Sequence, residues 1–579
     1  MDITKTSCMT VVVGKKASST GMVLVAHNED DYIHARMRHF FVPARDWEKG
    51  TLMPAEEGYT RIPQAEHTYA YWWCQVRGPE RGLSTSDSFL NENGVVIVSD
   101  SSCGSHEDAD EETHSTDGIV YELRRALAER SASAREGVRI GIELIEKYGY
   151  ASDGRIYTIA DKDEAFMLQV VRGHRYMAAR VPDDAVAVMP NHYTLHSLND
   201  TEEMWYPPDL AEYAEKRGWY TPAKAGDYSD FDFAKAYQDP RTYRHPVNML
   251  RQKYASQLLL GRKWDDRTDG FPFCVRATKQ IGVEDLMKVM SCHYEGTSDD
   301  VRFGPGMSPH DTPVRRICTG TTVESEIYEF TAEKRLTTAW TAFGRPCEQP
   351  YVPLHPLCGN VAEIEDGEFD PFTEAEGHFL PQQGATGYRS TPWQSMKNYE
   401  NLCEFRYGDV INEVAGFKRA LLAGFRKSEA KLRAAKLSDR EINAADTDNL
   451  LRTVKRVEKR FVKGVLENAG IIKAAITDCG AAGFHAKVTF SAKAPVENSL
   501  VFGPGRFETC RYAMPVAGSL KKRQGAWSAE FEFPFRPLEK DGKGTYEYIL
   551  GGRNRDGSSF AAICLMEADD KGNAVIREK

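Results

Sequence analysis

From residue 10 to residue 190 the chain repeats one motif: short β-branched and aliphatic runs, each closed by Gly, Asp or Pro. TVVV (10–13), GMVLVAH (21–27), GVVIVSD (94–100), RIYTIAD (155–161), EAFMLQVV (164–171) and AVAVMP (185–190) are of this kind. Runs this short and this rich in Val and Ile read as buried strands. One stretch departs from the pattern. DGIVYELRRALAERSASAREGVRIGIELIEKYG (117–149) spaces its apolar residues three and four apart, enough for two amphipathic helices, with Asp117 and Ser133 as starts and Gly149 as a stop. Strands interrupted by a helical pair predict an α+β fold rather than an all-β one.

Two later regions change period. Residues 404–470 hold VINEVAGFKRALLAGFRKSEAKLRAAKL and DNLLRTVKRVEKRFVKGVLENAG, charged and helical in spacing, with LSDREINAADTD between them as a loop. They read as a helical hairpin packed on the core; the apolar period is too short-lived for a coiled coil. Residues 471–579 alternate instead: AWSAEFEF puts Trp527, Ala529, Phe531 and Phe533 on one face, and HAKVTFSA, TYEYIL and SFAAICLM follow suit. This predicts a small β-sandwich domain. A length of 579 residues accommodates such a division.

Charge and cysteine usage exclude several classes. A net charge of −11 without a basic stripe is unsuited to nucleic acid. No stretch approaches the ~18 apolar residues of a membrane span, and the N-terminus lacks the apolar segment of a secretory signal. The twelve cysteines are scattered without CxxC pairing. This argues for a reducing cytoplasm and against a disulfide framework or zinc site, so no metal is expected. SHEDADEETH (105–114) lacks metal-ligand spacing and reads as a solvated acidic loop, and the two FGPG tetrapeptides (303–306, 502–505) as turns.

Cys8 is the residue whose placement asks for an explanation. It follows seven residues, MDITKTS, and precedes TVVV. A lipid attachment site needs an apolar stretch before its cysteine, which MDITKTS does not supply. A buried structural thiol is the bland alternative. The chemical one is a nucleophile that becomes an N-terminus: its freed α-amino group, with an ordinary pKa of about 7.7–8.0, takes the thiol proton.

The order of blocks supports the chemical reading. A cysteine, an apolar strand, GKKA, an STG turn and a second strand entering AHNEDD resemble the N-terminus of peptidase family C69, the dipeptidase A and secernin relatives among the N-terminal nucleophile hydrolases. FLNENGVVI (89–97), SASAREGVRIGIELIEKYG (131–149), 159–191, VEDLMKVMSCHYEGTSDD (283–300), RRICTGTTVESEIYEF (315–330) and TAWTAFGRPCEQPYVPLH (338–355) continue it. The resemblance implies a four-layer αββα sandwich over residues 8–403 and removal of residues 1–7 as a propeptide. It further implies cysteine-dependent hydrolysis of dipeptides with broad specificity and without a cofactor. Cys8 matches the nucleophile. Asp30 keeps the place of an aspartate that orients the α-amino group, while His27 stands where related enzymes carry arginine, which leaves thiolate stabilisation open. Asn191 matches an oxyanion donor, and a second donor is sought in the main chain near Ser99 or Asp100. His27, Asn28 and Arg276 are expected to contact substrate, although Arg315 competes with Arg276 for the role of active-site arginine. His293 in HYEGT reads as a packed core histidine or a residue shaping the pocket. An N-acyl amidase on the same fold and a non-catalytic secernin-like scaffold are the alternatives; a scaffold has no need to expose Cys8. Self-association is compatible with the helical region.

Overall fold

The computed structural model of the chain describes residues 8–31, 36–77, 88–101, 104–106, 118–264, 271–300, 309–310, 315–359, 370–378, 392–404, 407–462, 470–471, 473–478, 484–504, 513, 515–533, 544–556, 559–568 and 574–576. Residues 1–7, the acidic stretch beyond His106, Asp117 and the first FGPG lie outside the described residues.

The protein is α+β, and its two largest sheets are antiparallel. The first has seven strands in the spatial order Cys274–Arg276, Ala185–Met189, β1 (Met9–Val13), β2 (Leu24–Asp30), Thr322–Glu329, Thr338–Ala342 and Val352–Leu354. The second has eight, from Met204–Trp205 through Tyr176–Arg180, Ala165–Val170, Arg155–Ala160, Val96–Ser101, Ser88–Asn91 and Tyr71–Arg77 to Arg36–Val42. YWWCQVR (71–77) illustrates why they stack. Its pleat sends Trp72, Cys74 and Val76 into a core shared with β1 and β2, and Tyr71 and Trp73 into a second core beneath the helices Glu122–Arg130 and Ala134–Tyr148. Val283, Leu286, Met287 and Met290 of the helix Val283–Met290 join the first core, and that helix lies against β2 and Thr322–Glu329.

Local chemistry sets several boundaries. Ser133 caps the helix Ala134–Tyr148 by accepting from the Glu136 amide, and Gly149, at φ 75°, ends it. The first helix starts at Glu122 rather than near Asp117. Beyond the strands, Tyr407–Ala434 and Asp439–Val457 form long helices, and Val414, Phe417, Leu421, Leu450 and Val454 bury into the first core. The expected loop 437–448 is mostly helix. Ser438 and Glu441 form a reciprocal capping box that starts the second helix at Asp439, so the connection shrinks to residues 435–438.

The C-terminal region forms two further sheets. One pairs Lys473–Asp478, Phe484–Phe490, Ala526–Phe533 and Lys521–Arg523; the other is built around Gly544–Arg553 and Ser559–Ala568. Ala486, Val488, Ala529 and Phe531 meet Phe502, Leu550 and Ala562 in a separate small core. No helix among the described residues is long and apolar enough to cross a membrane.

Candidate active site

Antiparallel register explains why residues far apart in sequence meet at Cys8. β1 is a central strand, and both neighbours run against it: Met9 pairs with Asn28 of β2, and Thr10 with Met189. The start of β1 therefore lies beside the ends of both neighbours, where Asp30 and Asn191 sit. Cys8 is buried at 2% exposure. Its Sγ lies 3.8 Å from Glu29 Oε1 and 3.7 Å from the Asp30 main-chain oxygen.

An arginine not singled out from the sequence links this group. Arg251, fully buried on the helix Pro246–Leu260, donates from Nη1 to the Cys8 carbonyl at 2.9 Å and from Nη2 to Asn191 Oδ1 at 2.8 Å. Asn248, one turn earlier, accepts from Arg251 at 2.5 Å and donates to the Asn191 carbonyl at 2.8 Å. The Arg251 bond to Oδ1 fixes the flip of the Asn191 amide, with Nδ2 turned away from the guanidinium. A signal for Arg251 was present: it stands at an inward position of a helical stripe with Val247, Tyr254, Ala255 and Leu259.

Asp30 is gripped on its own side of the sheet. Its carboxyl accepts from Thr322 Oγ1 at 2.5 Å and from Arg315 at 3.4 Å. Burial pushes its pKa up, against the opposing pull of Arg315, the Thr322 hydrogen bond and Arg251. Of the two competing arginines, it is thus Arg315 that reaches the cluster. Arg276 does not. It pairs with Ala185 at the end of the sheet away from Cys8, its side chain is 81% exposed, and it forms an ion pair with Asp184 at 2.8 Å.

The remaining expectations divide by face. His27, Glu29, Thr10 and Cys8 share the face turned toward the second sheet. His27 Nδ1 bonds Thr10 Oγ1 at 2.9 Å and its Nε2 bonds Glu29 at 3.2 Å. Burial, helped by Arg124, lowers the His27 pKa to about 3, so the ring is neutral near pH 7 and cannot replace the missing arginine charge. Asn28 points the other way and spends its amide on the carbonyls of Met290, at 3.0 Å, and Ile317, at 3.1 Å. It fastens β2 to its neighbours and is not placed to meet a substrate beside Cys8. Asp100, whose neighbourhood was considered for a main-chain donor, instead accepts from Thr10 Oγ1 at 2.6 Å; burial raises its pKa to about 7.

The polar seam continues along the same face. Glu324 pairs in register with Glu29, and Glu326 with His27. His39 Nε2 bonds both Glu324 oxygens, at 2.9 and 2.8 Å, while Glu326 accepts from Cys74 Sγ at 3.0 Å, Tyr328 at 2.7 Å and Ser88. Burial lifts both carboxyls to about 8, and the Glu324 charge adds to the rise at Glu326. The folded chain keeps these protons up to about pH 8, whereas the unfolded chain releases them near 4.5. Between those limits folding takes up protons, so stability falls as pH rises, by up to about 1.4 kcal/mol per pH unit for each proton. Calorimetry from pH 6 to pH 8 is expected to record a falling Tm, with a shallower slope for Glu324→Gln. A flat wild-type profile counts against the buried acid pair.

The chain belongs to peptidase family C69, whose sequence pattern matches residues 7–379. Among curated proteins it is similar to a probable dipeptidase of Latilactobacillus sakei, 27% identical over 60% of this chain and 74% of that protein. A probable dipeptidase B of Streptococcus pyogenes serotype M3 is 24% identical over 81% of this chain and 93% of its own length. A probable dipeptidase A of Streptococcus pyogenes serotype M1 is 26% identical over 63% and 77%.

Proposed function

We propose that this C69 peptidase is a cysteine-nucleophile dipeptidase of broad specificity, matured by removal of residues 1–7. One observation carries the reading: Cys8 stands at the head of a central strand, its thiol beside Glu29 and Asp30 and its carbonyl held by Arg251, which also bonds Asn191. The names of the relatives support the substrate class. The order of layers, with Glu122–Arg130 and Ala134–Tyr148 on one sheet and Val283–Met290 on the other, fits the αββα sandwich of N-terminal nucleophile hydrolases.

In the maturation step, Cys8 Sγ attacks the Ser7 carbonyl, and the Ser7–Cys8 amide rearranges to a thioester with release of the Cys8 amine. Water then opens the thioester, leaving a carboxylate on Ser7 and a free thiol. In turnover, the α-amino group accepts the thiol proton and Sγ attacks the scissile carbonyl. Asn191 donates to the oxyanion, the protonated amine passes its proton to the leaving amine, and water hydrolyses the acyl-enzyme. Holding the Cys8 carbonyl through Arg251 immobilises the residue that carries both base and nucleophile. Asp30 orients the freed amine. Glu29, 3.8 Å from Sγ, offers a buried carboxyl to the α-ammonium of a dipeptide, a group that an N-acyl substrate lacks.

Intact-protein mass spectrometry of wild type beside Cys8→Ala tests maturation, and a dipeptide panel tests the substrate class. The wild type is expected to begin at Cys8 and the variant to retain Ser7. Two chains that both keep residues 1–7, with no dipeptide cleaved, would sink the proposal.

A further inference from the structure

Four side chains from four separate segments converge behind the strand that flanks β2. His293 lies just after the helix Val283–Met290, Cys318 shortly before Thr322–Glu329, and Cys347 in the turn that follows Thr338–Ala342; His310 completes the set. The two histidine Nε2 atoms are 3.1 Å apart, His310 Nε2 is 3.4 Å from Cys347 Sγ and 3.7 Å from Cys318 Sγ, and all four atoms lie within 4.8 Å of one another.

We infer that His293, His310, Cys318 and Cys347 form a closed Cys2His2 site for one zinc-class divalent cation. The spacing matches the chemistry: zinc–nitrogen bonds of about 2.0–2.1 Å and zinc–sulfur bonds of about 2.3 Å make tetrahedron edges of roughly 3.3 Å for N–N and 3.5 Å for N–S. The orientation matches as well. His310 Nδ1 is bonded to Glu404 Oε2 at 2.8 Å, and His293 Nδ1 to Glu295 Oε1 at 3.0 Å. A carboxylate on Nδ1 fixes the tautomer that leaves the Nε2 lone pair for a metal. The two Nε2 atoms face each other at 3.1 Å, close to the N–N edge of a zinc tetrahedron. On binding, each thiol gives up its proton, so one dication and two thiolates form a neutral unit and two protons leave to solvent. Four protein donors leave no open coordination position, which makes the site structural rather than catalytic.

The site lies under the candidate active centre without sharing a residue with it. Cys318 stands between Arg315 and Thr322, which hold Asp30, and its amide donates to the Cys292 carbonyl at 3.2 Å. The neighbouring Ile317 carbonyl receives Asn28. An ion here pins residues 315–322 in the position from which they support Asp30. Zinc was not expected from the sequence because the ligands span residues 293–347 with no CxxC pair, and only the fold brings them together.

Elemental analysis of the full chain, tag-free and dialysed after incubation with zinc, tests the inference. Wild type and Cys8→Ala are each expected to hold about one zinc per chain, since Cys8 is not a ligand, and Cys318→Ala/Cys347→Ala to hold less than a tenth of that. Glu404→Gln should weaken zinc by about 10–100-fold in a chelator competition. Because the double variant also risks misfolding, cobalt substitution of the wild type provides an independent reading: thiolate-to-cobalt charge transfer with intense tetrahedral d–d bands. A wild type that retains no zinc overturns the site, as does a cobalt spectrum without thiolate bands. So does a chain about two daltons light with Cys318 and Cys347 joined as a disulfide.

Discussion

Cys8→Ala is expected to lower kcat/KM for dipeptide hydrolysis by about 10³-fold or more while leaving the protein folded. The two effects separate because Sγ contributes little to packing. Its contacts with Glu29 and Asp30 are 3.8 and 3.7 Å, long even for sulfur, and deleting one buried atom costs on the order of 1 kcal/mol. The chemical loss is far larger. Without a thiolate no acyl-enzyme forms, and in systems that act as a unit, removing the nucleophile costs nearly as much as removing the whole machinery. Cys8→Ser sharpens the comparison. A hydroxyl holds its proton more tightly than a thiol does, so an amine base activates it poorly, and activity should fall by about 10²-fold or more. Steady-state kinetics with Tm measured on the same samples decides the matter. A buried structural cysteine predicts the opposite pattern, a lower Tm with undiminished turnover.

What the sequence disclosed, and what it hid, follows from the range of each interaction. β1, β2 and the strand Ala185–Met189 were legible because their residues are buried on both faces and leave continuous apolar runs. Ser133 and Gly149 were legible because capping is decided within one helical turn. The loop expected at 437–448 failed for the same local reason read too coarsely. Asp, Asn and Thr suggested a break, but the Ser438–Glu441 box starts a helix and Ile442 and Leu450 bury its face. Cys8, Asp30 and Asn191 were placed by family pattern, and register then explains their convergence. The face on which a strand residue lands was harder. Asn28 differs from His27 by one position, and one position in a strand is the whole difference between facing the second sheet and facing the helix behind it. Arg276 failed because an arginine at the tip of a short edge strand looks in sequence like any other. The helical stripe turns Arg251 inward but does not say what it meets, and the four metal-ligand candidates depend on contacts between distant segments, which no local pattern encodes.

Arg251→Met is expected to destabilise the fold by about 3–5 kcal/mol and to reduce turnover together with maturation. Methionine keeps much of the length and apolar volume of the stem, so the loss isolates the guanidinium. That group is fully buried and satisfies the Cys8 carbonyl, Asn191 Oδ1, Asn248 Oδ1 and, at 3.2 Å, the Val247 carbonyl. Removing it strands several buried acceptors at once, at about 1–3 kcal/mol each before relaxation. It also deprives Asp30 and Asp100 of a nearby positive charge that favours their ionised forms. Arg251→Lys discriminates between charge and geometry. An ammonium restores the charge but cannot bridge the Cys8 carbonyl and the Asn191 amide with one rigid fork, so stability should recover in part and kcat much less. Urea unfolding alongside pre-steady-state kinetics measures both. If lysine restores turnover fully, the bridge between nucleophile and oxyanion donor is not what Arg251 supplies, and its role reduces to burying a charge beside two acids.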